Sequence, residues 1–155
     1  MSPLTAEQRA ARVRLMVLDV DGVLTDGRLY YGPQGEAMKV FDVRDGHGIK
    51  MLIRNGVEVA LLSARSSDIV TARARELGIS RVMQGRSDKA SAFATLLAEA
   101  AVASDNSGYL GDDLPGELGV LVRCRGARAD PLQGGEPGIV HVGALQQFQC
   151  ALFPT

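Results

Sequence analysis

Short apolar runs alternate along this chain with segments of helical spacing. Leu15 to Leu18 is a continuous apolar run, as expected of a strand buried on both faces in a parallel sheet. Glu58 to Ser63 is a second such run, Arg81 to Gln84 a short third, and Ser107 to Leu110 a fourth. Between them, Gly46 to Asn55 carries Ile49, Leu52 and Ile53 on one helical face, with Gly56 placed to end it. Ser67 to Leu77 reads as a helix stopped by Gly78, and about Asp88 to Ala100 as another, capped by Ser87 or Asp88. Upstream, Ala6 to Arg14 reads as a short helix capped by Thr5, with Gln8 three residues on. The alternation predicts an α/β fold, a Rossmann-like, doubly wound parallel sheet with helices on both faces.

One stretch breaks the alternation. Thr25-Asp26-Gly27 turns the chain into Arg28 to Tyr31, Gly32-Pro33-Gln34-Gly35 turns it back, and Ala37 to Asp42 returns. This β-hairpin follows the first strand directly, so it is placed to act as a flap over that strand's end.

Composition narrows the class. At 155 residues, 46% of them hydrophobic, the chain suffices for one domain with a real core. A net charge of -1 gives no global attraction to nucleic acid or to an anionic membrane, so any basic site must be local. No apolar run is long enough to span a bilayer, and Met1 to Arg14 has no apolar core of a signal peptide. Cys124 and Cys150 have no metal-type spacing and read as reduced thiols of a cytoplasmic protein.

The chemistry gathers where the apolar runs stop. The first strand ends on Asp19 and Asp21, followed at once by Gly22, at the sheet edge where open α/β folds place ligands. Buried carboxylates need a cation or water to hold their charge. The second run delivers Ser63, the helix after the third begins at Lys89, and the fourth ends in Gly111-Asp112-Asp113. Acids from two strands suit a hard, oxygen-seeking ion such as Mg²⁺. A hydroxyl and an ammonium suit phosphoryl oxygens, and a carboxylate beside Mg²⁺ can attack phosphorus. Taken singly, each feature has a blander reading. Asp-x-Asp-Gly also marks surface turns and calcium-type loops, a first-turn lysine is often solvated, and His47 reads as a polar helix-start residue.

Together these residues resemble the four motifs of the haloacid dehalogenase (HAD) superfamily. Asp19-Val20-Asp21-Gly22-Val23-Leu24-Thr25 resembles the first, Ser63 in Leu-Leu-Ser-Ala-Arg the second, Lys89 the third and Gly111-Asp112-Asp113 the fourth. Asp-Gly-Val-Leu-Thr-Asp-Gly (21–27), Val-Arg-Asp-Gly (43–46) and Ser-Ala-Arg (63–65) resemble the 3-deoxy-D-manno-octulosonate 8-phosphate (KDO 8-phosphate) phosphatases within it. The resemblance covers about Arg14 to Leu114. It implies Asp19 as nucleophile, Asp21 as acid and then base, and Ser63 and Lys89 as phosphoryl ligands. It implies Mg²⁺ held by Asp19, the Asp21 carbonyl and Asp112, with Asp113 in support. Substrate contacts would come from Asp21, Lys89, Arg65, Arg73 and the segment Asp42, Val43, Arg44, Asp45 and Gly46. Mid-helix Arg73 also reads as a surface residue.

The implied activity is hydrolysis of KDO 8-phosphate in lipopolysaccharide synthesis. The alternatives are a related nonulosonate 9-phosphate phosphatase and a non-catalytic, HAD-like assembly subunit. Asp26 to Ser63 leaves room for a hairpin and one helix but no inserted cap domain, so the HAD-like domain is capless. The family closes such open sites by forming homotetramers through its hairpins. Tyr30, Tyr31, Met38, Val40 and Phe41 are apolar enough to serve, or to pack on their own domain.

Beyond Leu114 the pattern departs. Gly116 stands where the family has an aspartate, with Glu117 next to it, Gly119 to Val122 reads as the end of a short helix, and Arg123 to Pro131 has no periodicity. Gly134-Gly135-Glu136 only faintly echoes the family's terminal segment, and Pro137 opposes a helix. The chain thus reads as one domain, family-like to about residue 122, with an atypical tail over 123–155. That tail is either an out-of-frame coding segment or a divergent working one.

Overall fold

The structure is a computed structural model that describes residues 6–111, 120–123 and 139–140. In chain order the elements are α1 (Ala6–Ala10), β1 (Leu15–Leu18), β2 (Tyr30–Gly32), β3 (Gly35–Met38), α2 (Val43–Arg54), β4 (Glu58–Leu62) and α3 (Asp68–Leu77). Then follow β5 (Arg81–Met83), α4 (Lys89–Ala100), a 3₁₀ turn at Ser104–Asn106, β6 (Ser107–Gly111), β7 (Val120–Arg123) and β8 (Ile139–Val140). The sheet order is β5-β4-β1-β6-β7-β8, and every pairing in it is parallel.

The four residues of β1 are buried throughout, as an apolar run flanked on both sides by strands requires. Side chains alternate between the two faces of the sheet. Met16, Leu18, Val59, Leu61 and Leu110 meet Ile49 and Leu52 of α2 and Val70, Ala74 and Leu77 of α3. Leu15, Val17, Ala60, Leu62 and Tyr109 meet Ala92, Phe93 and Leu96 of α4 on the other face. There the Phe93 and Tyr109 rings pack edge to face, 6.0 Å apart. Helices therefore cover both faces, as the alternation predicts.

The chain runs outward from β1 through β4 to β5, then returns past β1 to continue as β6, β7 and β8. This reversal lies at β1, and a crevice at the strands' carboxyl ends is its usual consequence. The hairpin β2–β3 forms a separate two-stranded sheet, tied to the loop after β1 by a bridge between Thr25 and Phe41. Its turn falls on Pro33 and Gln34 as expected.

Several boundaries shift. Helix α1 ends at Ala10 rather than Arg14. Helix α2 starts three residues before Gly46, because Asp42 caps it by accepting from the Arg44 amide at 2.8 Å. Of the two candidate caps for α4, Asp88 is used, accepting from the Ser91 amide at 3.1 Å. The larger correction concerns the far side of the sheet. Gly119 to Val122 does not end a helix; Val120–Arg123 is strand β7, parallel to β6 and in register from Gly108 opposite Val120. Four residues cannot complete a helical face, whereas a Val-Leu-Val run beside an open strand edge gains a full ladder of hydrogen bonds. The tail also contributes β8, with Ile139 opposite Leu121. Thr5, Asp112, Asp113, Gly116, Glu117, Cys124, Gly134 to Pro137, His141 and Cys150 lie outside the described residues.

Candidate active site

Asp19 is the first residue past β1, and its amide donates to the Leu110 carbonyl at 2.8 Å, which fixes its backbone to β6. The side chain is buried. Its Oδ1 accepts from the Val20 amide at 2.6 Å and its Oδ2 from the Lys89 ammonium at 2.5 Å. Lys89 is itself buried, held there as the first residue of α4 behind the Asp88 cap. A buried carboxylate and a buried ammonium at this distance keep each other charged. They are 70 positions apart in sequence, and the parallel sheet brings them together.

Gly22, at φ +81, allows the turn that carries Asp21 around the strand end. The Asp21 carboxylate is partly buried and bound on Oδ1 by the ammonium of Lys39, a residue of the returning hairpin arm. Sequence reasoning missed Lys39, and it also missed Glu36. Lys39 is one of three buried charged residues among the described ones, and it pairs with Glu36 at 2.9 Å as well as with Asp21. Burial disfavours its charge, but the hydrogen bonds to Asp21 and Glu36 outweigh burial and hold its pKa above that of an ordinary lysine. The Glu36 carboxyl is held below the ordinary range, first by the Ser67 hydroxyl at 2.6 Å and then by Lys39.

The other expected residues divide by position. Ser63 is buried at the end of β4, and its Oγ accepts from the Arg65 amide at 3.2 Å. The Arg65 guanidinium reaches the Tyr31 hydroxyl at 3.0 Å, Glu36 at 3.4 Å and Asp21 at 3.8 Å, so it does join the carboxylate cluster. Arg73 instead lies over the Phe41 ring at 5.6 Å and pairs with Glu76 at 2.8 Å. It rests against Gly46, where any Cβ would stand 2.5 Å from Arg73 Nη2 and 3.2 Å from Leu77. A groove of about 430 Å³ is lined by Lys39, Phe41, Val43, Ile69, Ala72, Arg73 and Glu76.

Asp42 and Arg44 form an exposed pair at 2.7 Å, and Asp45 and Gly46 line a small cavity with Arg73. Val43 projects outward, 79% exposed. The candidate interface residues separate too. Phe41 packs on its own domain, whereas Tyr31, Met38 and Val40 are exposed, and Tyr30 donates its hydroxyl to Asp26 at 2.9 Å.

Among the described residues, Asp19 and Asp21 offer oxygen donors, which fits a hard divalent cation. Among the described residues no three acids, histidines or cysteines gather as a metal group. The third expected ligand, Asp112, follows directly on Gly111, the last residue of β6. The strand register sets Leu110 opposite Leu18, one residue before Asp19. Among the described residues no helix is long and apolar enough to cross a membrane.

No protein-family profile matches the chain. It is 45% identical over 114 residues to the 3-deoxy-D-manno-octulosonate 8-phosphate phosphatase of Escherichia coli K12, a match covering 72% of this chain and 61% of that enzyme. The chain spans about three fifths of the length of the curated relatives it matches. The crystal structure of the Yersinia pestis 3-deoxy-D-manno-octulosonate 8-phosphate phosphatase superposes with a TM-score of 0.73 at 42% identity, covering 76% of this chain and 66% of that one. The Moraxella catarrhalis enzyme, solved with magnesium, phosphate and KDO, superposes with a TM-score of 0.77 at 32% identity, over 95% of this chain and 90% of that one.

Proposed function

The chain belongs to the 3-deoxy-D-manno-octulosonate 8-phosphate phosphatase family of the HAD superfamily, and from that premise we propose that it is a Mg²⁺-dependent phosphomonoesterase acting on KDO 8-phosphate in lipopolysaccharide synthesis. The observation that carries the reading is the Asp19 carboxylate. It stands at the end of the central strand, shielded from bulk water and held at 2.5 Å by an ammonium from a different element. A carboxylate so fixed is a nucleophile aimed in one direction.

In this reading an Asp19 oxygen attacks phosphorus and forms an aspartyl-phosphate as the P–O bond to the sugar breaks. Asp21 gives its proton to the departing sugar oxygen. Water then attacks the phosphorus of the aspartyl-phosphate, Asp21 takes its proton, and phosphate leaves Asp19 free again. Lys89 and Ser63 hold the phosphoryl oxygens, and Arg65 and Arg73 meet the acidic sugar. Asp42 to Gly46 shape the wall beside Arg73. Bound Mg²⁺, held by Asp19, the Asp21 carbonyl and Asp112, supplies neutralisation of phosphoryl charge.

The reading includes a cytoplasmic homotetramer. Leu29, Tyr31, Met38, Val40 and Val43 expose 45–79% of their surface on and beside one hairpin, which suits a contact between copies of the chain.

The test is phosphate release from KDO 8-phosphate with Mg²⁺ and with EDTA, beside Asp19→Asn. Turnover that needs Mg²⁺ and falls at least about a thousandfold in Asp19→Asn is the expected result. Faster release from a nonulosonate 9-phosphate would reassign the substrate. Folded, Mg²⁺-binding protein that turns over neither would instead mark a non-catalytic subunit.

A further inference from the structure

Four charged side chains from three segments close into a ring at the edge of the carboxylate cluster. Asp21 Oδ1 takes the Lys39 ammonium, and Lys39 reaches Glu36 Oε1 at 2.9 Å. Glu36 Oε1 lies 3.4 Å from Arg65 Nη2, and Arg65 Nε lies 3.8 Å from Asp21 Oδ2. Charges alternate around the ring and cancel. The Lys39 side chain is only 2% exposed, so its charge depends on its two carboxylate partners. Ser67 strengthens the arrangement at its own helix's expense. It occupies the N-cap of α3 but makes no capping bond with its side chain; the hydroxyl goes to Glu36 at 2.6 Å.

Stability is a poor reason for such a ring. A buried ion pair often contributes no more than a well-packed apolar residue of similar size would. What a ring supplies is placement. We propose that Glu36 and Lys39 are positioning residues of the phosphatase reaction, Lys39 setting the Asp21 carboxylate and Glu36 the Arg65 guanidinium, an assignment that rests on the function proposed above. The hairpin then acts on the chemistry from within its own chain. Its two charges hold the proton-transfer group and the substrate-binding group in fixed relation, while its apolar residues face outward.

The two roles separate kinetically. Lys39→Met, measured on the full chain with Mg²⁺, lowers kcat on KDO 8-phosphate about tenfold with KM within about twofold, the scale of one lost charged hydrogen bond. Glu36→Gln keeps the shape and a group for Ser67 to bond, and does the reverse. It raises KM about tenfold and weakens calorimetric binding of KDO itself by a similar factor, with kcat nearly unchanged. Lys39→Arg restores most of kcat. Variants in which kcat and KM move together in step with a lowered Tm, or do not move, overturn the assignment. Should Lys39→Met fail to fold, Lys39→Gln takes its place, with the same loss of kcat expected at nearly unchanged KM, opposed to the KM effect of Glu36→Gln. Wild-type protein that hydrolyses no sugar-acid phosphate removes the phosphatase reading and this assignment with it. Active wild type with unsplit variants removes the assignment alone.

Discussion

Asp42 makes two uses of one carboxylate, capping α2 through the Arg44 amide and pairing with the Arg44 guanidinium. The side-chain bond first, and the amide second, lower its pKa from 3.8 to about 2. A carboxyl whose folded pKa is depressed adds stability above its unfolded value and loses it as pH falls through the folded one. For Asp42 that window runs from about pH 4 down to about pH 2. Carboxyl NMR should give a midpoint near 2, and Arg44→Ala should return it toward 3.8; a midpoint unmoved by that substitution would refute the cause assigned here. Asp45, three residues on, shifts the opposite way, because burial and then the Asp42 charge disfavour its ionised form. The placement of Asp19, Asp21, Ser63 and Lys89 is legible in the sequence, since each stands where an apolar run stops or a helix starts. That of Lys39 and Glu36 is not. The hairpin's register shifts between Tyr30 and Tyr31 and β3 ends at Met38, so a period of two does not say where Lys39 turns. The signal available was two charges three residues apart in an otherwise apolar returning arm.

Among the elements, β1, β4, β5 and β6 fall within a residue of their apolar runs, whereas α1 and α2 shift by three or four residues and α3 and α4 follow their local start and stop signals. Helix α3 runs from just after Ser67 to Gly78 at φ +79, as its sequence reads. Helix α4 depends on Asp88 for its first turn, and that turn presents Lys89 to Asp19. Asp88→Ala should cost about 1 kcal/mol of stability in urea unfolding. An unchanged midpoint would show that tertiary packing, not the cap, fixes the helix start. β7 was misread because its ladder belongs to β6, a partner that no local pattern names. Paired strands carry information that lies in their neighbours, whereas caps and stops lie in the helix's own residues.

At the scale of the molecule, the hairpin faces two ways. Its charged residues turn toward the carboxylates, and Met38 and Tyr31 toward solvent. A copy of the chain seated on that outer surface should be driven off by Met38→Glu, which would bury an unpaired charge at the contact. Sedimentation should then show a smaller species than the homotetramer proposed for the unsubstituted chain; an unshifted boundary would place the contact elsewhere. The doubly wound arrangement was legible because buried parallel strands read as continuous apolar runs, while the far strands β7 and β8 lie where that pattern weakens.

The position of β1 at the middle of the sheet bears on how the protein comes apart. Proteins open locally before they unfold globally, and short edge strands open at the least cost. β8 pairs only two residues at one margin, while the Asp19 amide is locked to Leu110 between β4 and β6. Fraying that begins at β8 must cross two further strands before it disturbs Asp19. Deuterium uptake along that margin would therefore rise at temperatures where turnover is still intact, and loss of turnover on heating would report the collapse of the whole sheet.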